Sequence, residues 1–130
     1  MSDGDSVAVE INGDRIRVRL ACIDAPELAQ DPVGTAARDR LKQLLPLGSV
    51  VRLRTIAEDR YGRTVAEVFY QEQNLNLQLV REGYAVVYRQ FLEGCDRDAY
   101  FSVELEARQK KLGLWQSSEP VMPWNFRRGR

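Results

Sequence analysis

Apolar and polar positions interchange in two short runs near the start of the chain, residues 7–11 and 15–23, with Asn12-Gly13-Asp14 between them. Asn-Gly between alternating runs predicts a β-hairpin, because both residues tolerate the positive φ of a tight turn. In the second run Ile16, Val18 and Leu20 alternate with Arg15, Arg17 and Arg19, so one face is buried and the other carries guanidinium groups. Pro26 closes that run. A loop with Pro32 and Gly34 follows. Residues 35–45 then predict a helix, with Ala37, Leu41, Leu44 and Leu45 on one face, Thr35 as N-cap, and Pro46 and Gly48 as its stop. Residues 50–56 and 64–70 predict two further strands joined by a turn at Tyr61-Gly62. Residues 75–82 read either as a strand, by the alternation of Asn74, Asn76 and Gln78 with leucines, or as a helix. The preferred reading is a short strand pair near Asn74, then a helix capped by Asn76 and ended by Gly83. Residues 84–88 are extended and 91–97 a loop. Residues 98–112 form the clearest helix, with Tyr100, Val103 and Ala107 inward, Glu104 and Arg108 as an i,i+4 pair, and Gly113 past its end.

Strands come first and helices punctuate and follow them, which predicts an α+β fold: a five-stranded OB-type β-barrel with three α-helices. At 130 residues, 44% hydrophobic and 29% charged, the chain suits a single soluble domain over residues 1–130. Residues 1–115 form its core and 116–130 an aromatic and basic extension. Trp124 and Phe126 are expected to pack back on the domain, and the basic tip of Arg127, Arg128 and Arg130 to fray. No apolar run approaches the roughly 20 residues of a membrane span. Met1 lies so near the Asp3-Gly4-Asp5 turn that a processing boundary, with a leader removed upstream, is expected.

Net charge is zero, so total charge gives no sign of nucleic-acid binding, although the first quarter is acidic and the end basic. The absence of histidine excludes a Ser-His-Asp triad, histidine-ligated metal and imidazole acid–base chemistry. Two cysteines without histidine cannot complete a structural zinc site. Cys22 and Cys95 are read as buried or partly buried free thiols, with a disulfide as the alternative.

Asp5, Asp24 and Glu27 offer oxygen donors only, a set suited to Ca²⁺ or Mg²⁺ and poorly suited to zinc or copper. Arg19 stands between Asp5 and Asp24 in sequence, and Arg63 follows Glu27. Taken singly each is ordinary: a solvated turn carboxylate, an arginine on a strand face, an arginine beside a turn. Arg19 and Asp24 also stand an odd number of positions apart, so a regular strand would point them to opposite faces. For both to reach one phosphate, the chain must bend or bulge within residues 21–23.

The combination is specific. Asp3-Gly4-Asp5-Ser6, Arg19-Leu20-x-x-Ile23-Asp24-Ala25-Pro26-Glu27 and Asp59-Arg60-Tyr61-Gly62-Arg63 resemble the staphylococcal nuclease (thermonuclease) family in order and spacing. The likeness continues through Leu79-Val80-x-x-Gly83-Tyr84-Ala85 and Leu112-Gly113-Leu114-Trp115. It implies an OB-type barrel with three helices and Ca²⁺-dependent hydrolysis of DNA and RNA, breaking the 5′ P–O bond and leaving 3′-phosphate ends. It further implies that Asp5 and Asp24 ligate the cation with the carbonyl of Ala25, and that Glu27 stands nearby through water as the candidate general base. Arg19 and Arg63 grip the scissile phosphate, while Arg60, Tyr61 and Tyr88 lie along the nucleotide. Unpaired or frayed DNA and RNA strands are the implied partners, with a monomer expected. Exported relatives point outward, to a secreted or periplasmic location. Four features depart from the family's type enzyme: Ala25 and Ser6 replace threonines, few residues precede the Asp-Gly-Asp turn, and the Pro-Trp-x-Phe-Arg tail beyond Trp115 has no counterpart. The rival reading is a catalytically inactive module of this fold that binds nucleic acid or a protein.

Overall fold

Asn12 and Gly13 both adopt positive φ, 52° and 84°, and fold strand β1 (Ser6–Ile11) onto β2 (Asp14–Leu20). The antiparallel register runs from Ile11 opposite Asp14 to Ser6 opposite Arg19. It therefore delivers Asp5 to the end of β2, where its carbonyl accepts from the N–H of Leu20 at 2.8 Å. The structure, a computed structural model, describes residues 4–129. The start of the chain and Asp3 of the Asp-Gly-Asp turn lie outside the described residues, as does Arg130.

The second run does not continue to residue 23 as one strand. It stops at Leu20, turns through Ala21 and Cys22, and resumes as β3 (Ile23–Asp24). Cys22 sits at φ 70°, a rare conformation for a residue with a Cβ. The bend required by the spacing of Arg19 and Asp24 is thus present. Helix α1 (Val33–Leu44) starts earlier than the sequence predicts, and Gly34 belongs to its first turn. Thr35 is not its cap: the carbonyls of Gln30 and Pro32 take the first N–H groups, from Gly34 and Ala36, at 2.7 and 3.0 Å. A Cβ at Gly34 would stand 1.9 Å from the carbonyl oxygen of Glu27, so only glycine lets α1 approach the Glu27 backbone this closely.

Strand β4 (Arg52–Glu58) pairs antiparallel with β5 (Thr64–Tyr70), with a register irregularity between Thr55 and Ala57. β5 lies parallel to β2, Arg19 opposite Val65, which brings the β4–β5 turn and Arg63 alongside Arg19. β6 (Gln73–Asn74) adds to β5 and leads into α2 (Leu75–Arg81). β7 (Val86–Val87) pairs with β3, and α3 (Arg97–Gln109) packs on α2. A short α4 (Pro123–Arg127) ends the described chain.

The result is an α+β fold with a five-stranded sheet, ordered β1-β2-β5-β4 with β6 on β5, and a separate β3–β7 pair. Two parts of the sequence expectation need correction. The pairing among the described residues closes no barrel, because the chain leaves the main sheet at Cys22 and forms its next pair with β7. The helices among the described residues are four rather than three, the fourth lying in the extension.

Val18, Leu20, Ile23, Ala66, Val68, Leu75, Leu79 and Tyr100 form the centre of the core, each at most 1% exposed. Two polar residues are spent inside it rather than where the sequence suggested. Asn74, not Asn76, caps α2, accepting from the N–H of Leu77 at 3.2 Å. Asn76 is wholly buried: its Oδ1 accepts from Val68 N, and its Nδ2 donates to the carbonyls of Ala21 and Ala66. It ties the turn after β2 to β5. Asn76→Ala is expected to cost about 2–3 kcal/mol by stranding buried backbone groups, seen as a lower urea midpoint at unchanged slope. Glu104 likewise is no surface partner of Arg108. It is 2% exposed and accepts from Val87 N at 2.7 Å and from Arg89 at 3.1 Å, while Glu106 and Lys110 form the exposed i,i+4 pair.

Cys22 and Cys95 are not free thiols. They are joined in a disulfide across 73 residues, with Cα atoms 6.6 Å apart. Pairing of β3 with β7 carries the segment after β7 past the Cys22 turn, and the carbonyl of Cys22 accepts from Tyr88 N at 2.9 Å.

Candidate active site

The hairpin register, the Cys22 turn and the β4–β5 turn all converge on one cavity of about 820 Å³. Asp5, Arg19, Asp24, Glu27, Arg60, Tyr61, Arg63 and Tyr88 line it, together with Asp59, Phe91 and Arg127. Of the residues singled out in the sequence, Ala25 alone does not line it. Ala25 is 2% exposed, and its N–H donates to Asp5 Oδ2 at 2.9 Å, which fixes that carboxylate against the start of the Pro26 loop.

Asp5 and Asp24 are buried, with side chains 6% and 1% exposed. Arg19 lies between them, Nη1 3.5 Å from Asp5 and Nη2 3.7 Å from Asp24, and Nη1 also donates to the carbonyl of Leu20 at 2.7 Å. Burial raises the Asp24 carboxyl above its ordinary value. Hydrogen bonds from Arg127 oppose that rise, the charge of Asp5 adds to it, and the charges of Arg19 and Arg127 again oppose it. Two carboxylates this buried need positive charge nearby, and the site supplies it as guanidinium.

Arg63 is held by the turn that carries it. Asp59 Oδ1 accepts from the N–H groups of Tyr61 and Arg63, both at 2.9 Å, and Oδ2 accepts from Arg63 Nε at 2.8 Å. Burial would raise Asp59, but these hydrogen bonds outweigh it and hold the carboxyl below its ordinary value. Arg60 donates to the Tyr61 hydroxyl at 3.0 Å and lies over the ring, which is 61% exposed at the cavity rim. Tyr88 packs edge-on against Phe91.

Glu27 is positioned through its backbone. Its N–H donates to Gln30 Oε1 at 2.9 Å, and Gln30 Nε2 donates to the carbonyl of Val121 at 3.1 Å, so one buried glutamine joins the Glu27 loop to the extension. The three acidic side chains do not gather into a single cage, and no cluster of three or more potential metal-binding acids is found among the described residues. Asp5 and Asp24 share Arg19, whereas Asp24 and Glu27 share Arg127.

Sequence reasoning missed Arg127 and the organising role of Asp59. The extension does pack on the domain as expected: Trp124 stacks on Tyr88 at 5.7 Å and 9°, and Pro123 is buried. Its basic tip, expected to fray, instead places Arg127 on the carboxylates, and the hydrogen bond to Asp24 raises the pKa of the guanidinium further. The one sequence signal available was a basic residue directly after the Pro-Trp-x-Phe anchors.

Fold and cavity define a mixed α+β domain that joins buried carboxylates to guanidinium groups at an open, aromatic-rimmed pocket, an arrangement suited to a phosphate-bearing ligand. Residues 17–117 match the staphylococcal nuclease homologue family, and the chain belongs to it. It is 39% identical over 129 residues to an "uncharacterized endonuclease" of Haemophilus influenzae, covering 98% of this chain and 70% of that one. It is 40% identical over 135 residues to a "micrococcal nuclease" of Shigella flexneri, covering 97% and 76%. A "staphylococcal-like nuclease CAN1" of Arabidopsis thaliana is 32% identical over 121 residues, which are 93% of this chain but 36% of the plant protein.

Proposed function

We propose that this domain is a Ca²⁺-dependent nuclease that hydrolyses phosphodiesters of DNA and RNA, breaking the 5′ P–O bond to leave a 3′-phosphate. The observation that supports it most is the convergence of Arg19, Arg63, Asp5, Asp24 and Glu27, from three separate stretches of chain, on one cavity. The donors suit the ion: they are oxygens only, two of them carboxylates buried with their charge balanced by guanidinium. Asp5 and Asp24 would hold it with the carbonyl of Ala25, and when bound it polarises the phosphoryl group.

The chain's own groups supply the rest. Arg19 and Arg63 present forked donors to the charge that builds on the phosphoryl oxygens as water attacks, each contributing about 3–4 kcal/mol by analogy with a single oxyanion donor. Glu27 takes the proton from the attacking water, and the 5′ oxygen leaves and is protonated from solvent. Tyr61 offers an exposed ring on which a base stacks without regard to sequence, and Tyr88, stacked on Trp124, lies along the nucleotide in the cavity wall. An unpaired strand admits its phosphate to a cavity of about 820 Å³ far more readily than a stacked duplex. The Cys22–Cys95 bridge fits an oxidising compartment, in line with export.

Purified protein is expected to release acid-soluble nucleotides from denatured DNA in Ca²⁺ and to stop when chelator is added. Cleavage continuing unchanged in excess chelator rules out the cation assignment. One observation favours the inactive-module reading: Arg127 already holds Asp24 and Glu27. Tight binding of single-stranded DNA in Ca²⁺ with no product would support that reading instead.

A further inference from the structure

Arg127 enters the cavity from the far end of the sequence. Its Nη2 lies 2.5 Å from Asp24 Oδ2 and its Nη1 3.1 Å from Asp24 Oδ1. The same Nη1 lies 2.8 Å from Glu27 Oε1, so one nitrogen is within reach of both carboxylates. Three contacts seat the segment that carries it: Gln30 on Val121, the burial of Pro123, and the stack of Trp124 on Tyr88. Two of these involve residues next to the site, Gln30 in the Glu27 loop and Tyr88 in the cavity wall.

We propose that Arg127 is a displaceable internal cation: it holds Asp24 and Glu27 until a divalent ion arrives, and so sets the ion concentration at which the site becomes loaded. This rests on the Ca²⁺ reading above. A guanidinium hydrogen-bonded to both oxygens of Asp24 and an ion coordinated by Asp24 at about 2.3–2.6 Å compete for the same lone pairs and repel each other. One must yield. The burial is asymmetric, with Asp24 1% and Arg127 38% exposed at the side chain. Arg127 can turn out into water at little cost, whereas buried Asp24 would lose both of its hydrogen bonds from Arg127 and keep only the longer Arg19 contact at 3.7 Å, which is expensive. The guanidinium therefore leaves in exchange for an ion rather than by simple opening. Apparent ion affinity is reduced by the fraction of molecules in which the site is already taken, so a site held by Arg127 nine-tenths of the time binds about tenfold more weakly.

The test is calorimetric titration of Ca²⁺ into the full chain, wild type against Arg127→Ala and Arg127→Gln, each first shown to be folded by circular dichroism. The glutamine variant keeps a hydrogen-bonding side chain without the charge. Both variants are expected to bind Ca²⁺ about tenfold more tightly than wild type. In a Trp115→Phe background, which leaves Trp124 as the one tryptophan, Ca²⁺ is expected to shift its emission as Arg127 withdraws and α4 moves against Tyr88. Equal or weaker binding in the variants overturns the proposal while leaving the Ca²⁺ site standing, and so does an emission unmoved by bound Ca²⁺. No binding by any of the three proteins removes the Ca²⁺ site and the proposal together.

Discussion

Arg63→Ala is expected to lower kcat by about 10²–10³ with little change in KM, the signature of a donor used in the transition state rather than the ground state. The side chain is already aimed: Asp59 takes its Nε at 2.8 Å and shapes the turn through two backbone N–H groups. Little rotamer freedom is left to lose when a phosphate arrives. The ion pair is partly exposed, with side chains 29% and 21% accessible, so its loss should hardly affect stability and the kinetic change will not be a folding defect. Arg19→Lys should be nearly as severe, although charge is kept. A lysine has no fork with which to span Asp5, Asp24 and a phosphate at once. Steady-state kinetics on denatured DNA, with thermal melts of each variant, separate these effects.

The second large effect concerns the bridge. Replacing Cys22 and Cys95 together by serine removes a link across 73 residues and is expected to cost about 4 kcal/mol, in the chain-entropy picture. In a domain of this size that lowers Tm by roughly 15 °C. Activity should suffer beyond the stability loss, because the bridge pins the Cys22 turn, held at φ 70°, which brings Arg19 and Asp24 to one cavity. Melting with and without reductant, and rates measured well below the lower Tm, check the two parts separately.

Local chemistry made some of this legible. Asn12-Gly13 fixed the first hairpin, and its register carried Asp5 to Leu20. The parity of Arg19 and Asp24 foretold the bend, and the resemblance supplied the residues that meet in the cavity. What could not be read lay in contacts with no local pattern. Asn76 looks like a helix cap and is a buried tie; Glu104 looks like half of a surface pair and holds β7. In both cases a distant backbone group competes successfully for the side chain. The disulfide joins residues with no shared motif. Arg127 meets Asp24 across 103 positions, so a basic residue after the Pro-Trp-x-Phe anchors does not by itself reveal which groups it meets. Barrel closure does not follow from five strands, because the chain departs the main sheet at Cys22.

The measurement that bears most directly on the cavity is hydrolysis of denatured DNA in Ca²⁺ by wild type and by an Arg19→Ala, Arg63→Ala double variant. The two proteins are purified side by side and shown to be equally folded. Wild type should release acid-soluble nucleotides, and the double variant should fall to the level of a blank preparation. A double variant that cuts at close to the wild-type rate would place the chemistry elsewhere.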